Sequence, residues 1–161
     1  MAARHLFHFG YKVSVCYAKA SKKSPMPNLV KQLHKLGVEV RETLQEDFAK
    51  NDILVDAIFG YSFCGEIREP FKSILRRVRE CKVKQIVSVD VPSGWDVEEG
   101  DVRGEGVNPS VLVSLTAPKK CALKFGGRHY LGGRFVPPLL HSKYSLNLPH
   151  YNGAEQSLLL N

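Results

Sequence analysis

The chain has 161 residues, 43% of them hydrophobic and 24% charged, with a formal net charge of +7. That length suits one domain able to bury roughly two-thirds of its extended-chain surface. No apolar run approaches the ~20 residues a membrane-spanning helix needs, so membrane insertion is not expected.

In chain order, Ala2 to Phe9 reads as the tail of a helix, with Leu6, Phe7 and Phe9 on one side and Gly10 at the stop position. This opening stretch lacks a signal-peptide layout, because Arg4, His5 and Lys12 interrupt any apolar core, and the chain as it stands reads as cytoplasmic. VSVCY (Val13 to Tyr17) is a β-rich run, followed by a Lys/Ser/Pro loop to Pro27. Asn28 to Leu36 carries Leu29, Val30, Leu33 and Leu36 at helical spacing and is closed by Gly37. VEVRE is a short strand, and one weak helical turn follows it. ILVDAIFG (Ile53 to Gly60) is apolar except for Asp56, the pattern of a strand buried on both faces.

The second half repeats the alternation. Glu69 to Cys81 has Phe71, Ile74, Leu75 and Val78 at helix period, with Pro70 at a first helical position. VKQIVSVDV and VLVSLTAP are further strands, separated by a glycine-rich acidic loop from Val97 to Pro109. GGRFVPPLL is expected to supply a last short strand before a tail over 141–161. Strands that are apolar throughout and alternate with helices imply a mostly parallel sheet covered on both faces. The expected fold is a single α/β domain, a Rossmann-like α/β/α sandwich.

Composition narrows the function classes. Lysine and arginine cluster only at Lys19 to Lys23 and Arg76 to Arg79, with no aromatic-interleaved groove, so the charge reads as a solvated surface before it reads as a nucleic-acid site. A positive field of this kind does favour phosphorylated small molecules. Cys16, Cys64, Cys81 and Cys121 are widely spaced without a C-x-x-C pair and read as reduced, packing thiols. The six histidines show no zinc-ligand spacing.

Two carboxylates stand out. Asp90 ends an apolar strand and is followed by Pro92, Ser93 and Gly94. In open α/β sheets ligands sit beyond the carboxyl ends of strands, so Asp90 is either placed for chemistry or only caps a turn. Asp56 lies inside an apolar strand, where an unpaired carboxylate is costly; it needs a cation, a metal ion or several N–H donors. If the two strands are neighbours, both carboxylates face one crevice, and with the Ser93 hydroxyl they suit a hard cation. The loop GYSFCGE, from Gly60 to Glu66, could bind phosphate through free N–H groups or be an ordinary βα turn. Ser93 lacks a G-x-S-x-G elbow, which argues against a hydrolase triad. Cys64 reads as a small packing or surface residue.

Three ordered stretches, VDAIFGYSFCGEIREPF, VSVDVPSGWDVEEG and LTAPKKCALKF with HYLGGRFVPPLL, resemble the YjeF N-terminal domain family, and within it the animal NAD(P)HX epimerases, also described as apolipoprotein A-I-binding proteins. The resemblance implies a Rossmann-like fold and interconversion of the R and S forms of hydrated NADH and NADPH, with a potassium ion in the site. It assigns substrate contacts to Gly60, Tyr61, Ser62, Phe63, Cys64, Gly65 and Glu66, and makes Asp90 both a substrate contact and the acid/base. Asp56 and Ser93 match its potassium ligands, and Lys119 is a second catalytic candidate. It implies two partners besides the dinucleotide, apolipoprotein A-I and a second copy of the chain; a non-catalytic binding protein and an RNA-metabolism scaffold are the competing readings.

The family's glycine-rich turn, of the form G-N-N-G-G-D, precedes the helix that here begins MAARHL, and this sequence does not contain it. The expectation is an N-terminally truncated form without its central strand, weakly active or inactive, from a parent that is mitochondrial or secreted.

Overall fold

The apolar, β-branched runs become strands, and these fall into two sheets. The computed structural model describes residues 1–161 and divides into two units, Met1–Phe48 with Arg68–Ile74, and Ala49–Ile67 with Leu75–Asn161.

The first unit holds α1 (Ala2–His8), β1 (Ser14–Cys16), α2 (Met26–Lys35) and β2 (Glu39–Arg41). β1 and β2 run parallel, with Val15 opposite Val40. α2 buries Leu33, as its 3.6-residue apolar spacing requires, and Val38 and Phe48 are buried in the same unit. The helix begins two residues before the predicted start, because Pro27 stands near its first position and needs no intrahelical partner for the missing N–H. Arg4 of α1 donates to the Gln32 side chain of α2 at 2.8 Å.

The second unit is built on a five-stranded sheet in the order β3 (Ile53–Asp56), β4 (Gln85–Val89), β5 (Val111–Leu115), β6 (Arg128–Gly132), β7 (Ser157–Leu159). The first four strands are parallel and β7 is antiparallel to β6. α4 (Pro138–Lys143) belongs to this unit, as does the part of α3 (Phe71–Glu80) from Leu75 onward. Leu75, Val78, Leu112, Cys121 and Leu131 form the buried centre. No helix is long and apolar enough to cross a membrane.

The α/β class and the mostly parallel sheet match the expectation, and three details differ. β3 is an edge strand with one neighbour, so Ile53 and Val55 are 48% and 40% exposed where burial on both faces was expected. GGRFVPPLL does not form a strand. Pro137 and Pro138 cannot donate to a ladder, and Pro138 instead opens α4. The outer strand comes from the tail, where Ser157–Leu159 pairs with Gly132, Leu131 and Tyr130.

β5 and β6 enclose a buried polar pair. Ser114 Oγ lies 2.8 Å from His129 Nε2, and the Phe125 ring meets the imidazole edge-on at 6.3 Å. Burial holds the His129 pKa below its usual value. The unfolded chain therefore takes up this proton first, and the contribution of neutral His129 to stability is present above pH 6.5 and declines as pH falls below it. The urea midpoint is expected to drop between pH 7.5 and 5.5, and His129→Gln should flatten that slope. A slope unchanged by the substitution would assign the effect to other groups.

Candidate active site

The site forms at the carboxyl ends of β3, β4 and β5. β3 and β4 are parallel neighbours with Asp56 opposite Ser88, so the two strands deliver their terminal carboxylates to the same end of the sheet. The carboxylates then do different things.

Asp56 is 2% exposed and saturated. Its Oδ1 accepts from Ser93 Oγ at 2.5 Å and Ile58 N at 3.4 Å; its Oδ2 accepts from Ser88 Oγ and Ser93 N, both at 2.8 Å. Ser93 Oγ in turn accepts from Phe59 N at 3.1 Å. The N–H donors left open by the sequence are present at Ile58 and Ser93, and two serine hydroxyls, which the sequence reading did not count, join them. A buried carboxylate costs least when each lone pair is used, and here they are. Asp56 thus fastens the loop after β3 to the Pro92–Ser93 turn after β4. Gly94 continues that turn at φ 94°, and a Cβ there would lie 2.7 Å from the Gly106 Cα, so only glycine lets the Val97 to Pro109 loop fold back.

Asp90 sits one residue beyond β4 and faces the opening. Its backbone has φ 74°, uncommon for a residue with a side chain, and its N–H is tied to Val113 O at 2.7 Å. Oδ2 accepts from Tyr61 N at 2.8 Å, and Oδ1 pairs with the Lys119 ammonium. Lys119 also donates to Leu115 O at 2.8 Å, at the end of β5. The two side chains are 14% and 18% exposed, which keeps the pair partly out of water while one face stays accessible. A Cβ on Gly60 would fall 2.7 Å from Asp90 Oδ2, so glycine is what allows the loop backbone to reach the carboxylate.

The predicted loop splits along its length. Gly60 and Tyr61 touch Asp90, and the Tyr61 ring lies 5.9 Å below the Lys119 ammonium. Phe63 turns back to stack on Phe59 at 4.0 Å, with its N–H on Gly60 O. Ser62, Cys64, Gly65 and Glu66 are exposed along the rim, where Cys64 is a free thiol. The four cysteines form no disulfide, and burial pushes the Cys121 thiol pKa up.

Sequence reasoning ranked Lys119 second and missed Ser88 and Leu115. The polar residue inside VSVD was the available signal for Ser88, whereas a main-chain acceptor such as Leu115 O leaves none. The acidic loop is used internally, since Asp96 Oδ1 accepts from Glu98 N and Glu99 N, which hold its pKa low. No cluster of three or more His, Cys, Asp or Glu side chains is arranged to hold a metal.

A mostly parallel sheet accompanied by helices defines an α/β protein of the Rossmann-like class. The sequence model of the family described as YjeF-related protein N-terminus matches residues 1–121. The chain belongs to that family. Over 159 residues it is 45% identical to proteins named NAD(P)H-hydrate epimerase from Fusarium vanettenii and Neurospora crassa, covering 97% of this chain and 67% of each relative. It is 50% identical to part of a chloroplastic pyridoxine/pyridoxamine 5'-phosphate oxidase of Arabidopsis thaliana, covering 95% of this chain but 31% of that protein. The crystal structure of yeast ynu0, YNL200c, superposes with a TM-score of 0.91 at 39% identity, covering 99% of this chain and 70% of that one.

Proposed function

We propose that this chain carries the acid/base centre of an epimerase site acting on hydrated NADH and NADPH. The observation that carries the reading is the Asp90 carboxylate, held by Tyr61 N–H and the Lys119 ammonium at the mouth of the crevice. Relatives named for this activity at 45% identity support it.

The reaction centre is a nicotinamide ring hydrated at C6. Inverting that carbon requires either loss and re-addition of the hydroxyl, or opening of the ring at the C6–N bond and reclosure on the other face. In the first route a carboxylic acid protonates the departing hydroxyl, which leaves as water, and the carboxylate takes a proton from the water that adds to the other face. In the second the carboxylate takes the C6 hydroxyl proton as the C6–N bond breaks to an aldehyde, the ring nitrogen takes up a proton, and the steps reverse on the other face. One carboxylate within hydrogen-bond reach can serve in both directions. Asp90 takes this role, and Lys119 fixes which oxygen faces the substrate, since its ammonium is anchored on Leu115 O and cannot swing freely. The Gly60 to Glu66 rim supplies main-chain and side-chain polar groups for the rest of the dinucleotide.

Potassium enters from the resemblance alone. Its two proposed ligands here, Asp56 and Ser93, are bonded to each other, and both carboxylate oxygens already carry two hydrogen bonds. The residues as arranged do not fit a cation, and no step runs through one.

The test is direct. Separated R and S hydrates of NADH are incubated with the chain and their interconversion is followed by chromatography against a protein-free control. Interconversion above that control is expected. Its absence at stoichiometric protein would overturn the reading for this chain.

A further inference from the structure

Two residues that follow neighbouring strands share an unusual conformation. Asp90, after β4, has φ 74°, and Val91 N–H closes onto Val89 O at 3.0 Å. Thr116, after β5, has φ 69°, and Ala117 N–H closes onto Leu115 O at 2.8 Å. Each is a three-residue turn with a positive central φ, a rare and strained form. Threonine is branched at Cβ and is a true outlier there, where glycine or asparagine would sit with less strain. Such strain persists where surrounding bonds enforce it, and it gathers at sites that need a side chain aimed.

For Asp90 the aim is the ion pair already described. Thr116 is held as firmly. Its N–H donates to Gly132 O at 3.2 Å, and the carbonyl before it, Leu115 O, accepts both Ala117 N–H and the Lys119 ammonium. Yet the Thr116 side chain is exposed and its hydroxyl makes no hydrogen bond within the chain. Nothing in the packing explains threonine at this turn. The carbonyl before it anchors the lysine that holds Asp90, so Thr116 is the chain neighbour of that anchor, and its exposed side chain carries a hydroxyl that no group of the chain uses.

We propose that Thr116 is a substrate-contacting residue, its hydroxyl hydrogen-bonding the hydrated nicotinamide end of the dinucleotide beside the Asp90–Lys119 pair. This rests on the epimerase reading. Three variants separate the hydroxyl from the shape and the strain. Thr116→Val keeps the branch and removes the hydroxyl; Thr116→Ser keeps the hydroxyl; Thr116→Gly removes both the side chain and the strain.

With hydrated NADPH, Thr116→Val is expected to lose about tenfold in kcat/KM at unchanged melting temperature, the effect of one hydrogen bond. Thr116→Ser is expected to recover most of that loss. Thr116→Gly should melt no lower than wild type and still turn over poorly, which a purely structural residue would not do. Wild-type kcat/KM in Thr116→Val overturns the proposal, as does a serine variant as impaired as the valine one. Should the wild-type chain not epimerise at all, the epimerase reading fails separately, and the dissociation constant of NADPH decides about Thr116. Several-fold weaker binding by Thr116→Val supports the contact. Equal binding, or none by wild type, removes it.

Discussion

Replacing Asp90 with asparagine is expected to lower epimerisation of hydrated NADH by about two to four orders of magnitude while leaving the chain folded. Asparagine fills the same space and keeps a carbonyl oxygen for Tyr61 N–H, which approaches Asp90 Oδ2 at 2.8 Å. It cannot take up and return a proton at neutral pH. Some stability is expected to be lost as well, because the largely buried Lys119 ammonium loses its charged partner and retains only Leu115 O. Turnover and melting temperature measured on the same preparation separate the two effects. Wild-type turnover in Asp90→Asn would move the proton transfer to another group.

The second large effect concerns stability. Asp56→Ala removes an acceptor that serves four donors, and Ser88 Oγ, Ser93 Oγ and Ser93 N would remain in a buried site. Each stranded buried donor costs on the order of 1–3 kcal/mol. Domains of this size are stable by roughly 5–15 kcal/mol, so the variant should lose a large part of its stability. Urea unfolding monitored at Trp95 measures it. The control is Asp52→Ala, which breaks only the exposed bridge to Lys84 at 2.6 Å and should leave the midpoint in place. A midpoint for Asp56→Ala equal to that of the control would show that Asp56 is not what ties the two strand ends together.

These two predictions distinguish two residues of the same type. In the structure Asp56 and Asp90 both stand near the carboxyl ends of neighbouring strands, although the sequence placed Asp56 inside an apolar run. The difference is depth. Asp56 is the last residue of β3 and lies under the following loop, while Asp90 stands one position past β4 on a left-handed backbone that turns its side chain to the opening. One is therefore a fastener and the other is available for chemistry.

What the sequence determined by itself is the local physics. Helices at α1, α2 and α3 follow from apolar spacing and their glycine or proline stops, and β1 to β5 follow from β-branched runs, because these signals act over a few residues. Ordered motifs around Asp56, Asp90 and Lys119 carried the family as well. Only the tertiary structure decided which strands are neighbours, that β3 is an edge with Ile53 and Val55 in solvent, and that the tail supplies β7. It also decided that Lys119, twenty-nine positions from Asp90, is its direct partner. Such contacts depend on strand order and on main-chain acceptors such as Leu115 O, and neither leaves a mark in residue type. The strain at Thr116 belongs with them, since its backbone N–H is held by Gly132 O of the neighbouring strand β6, a partner that residue type does not reveal.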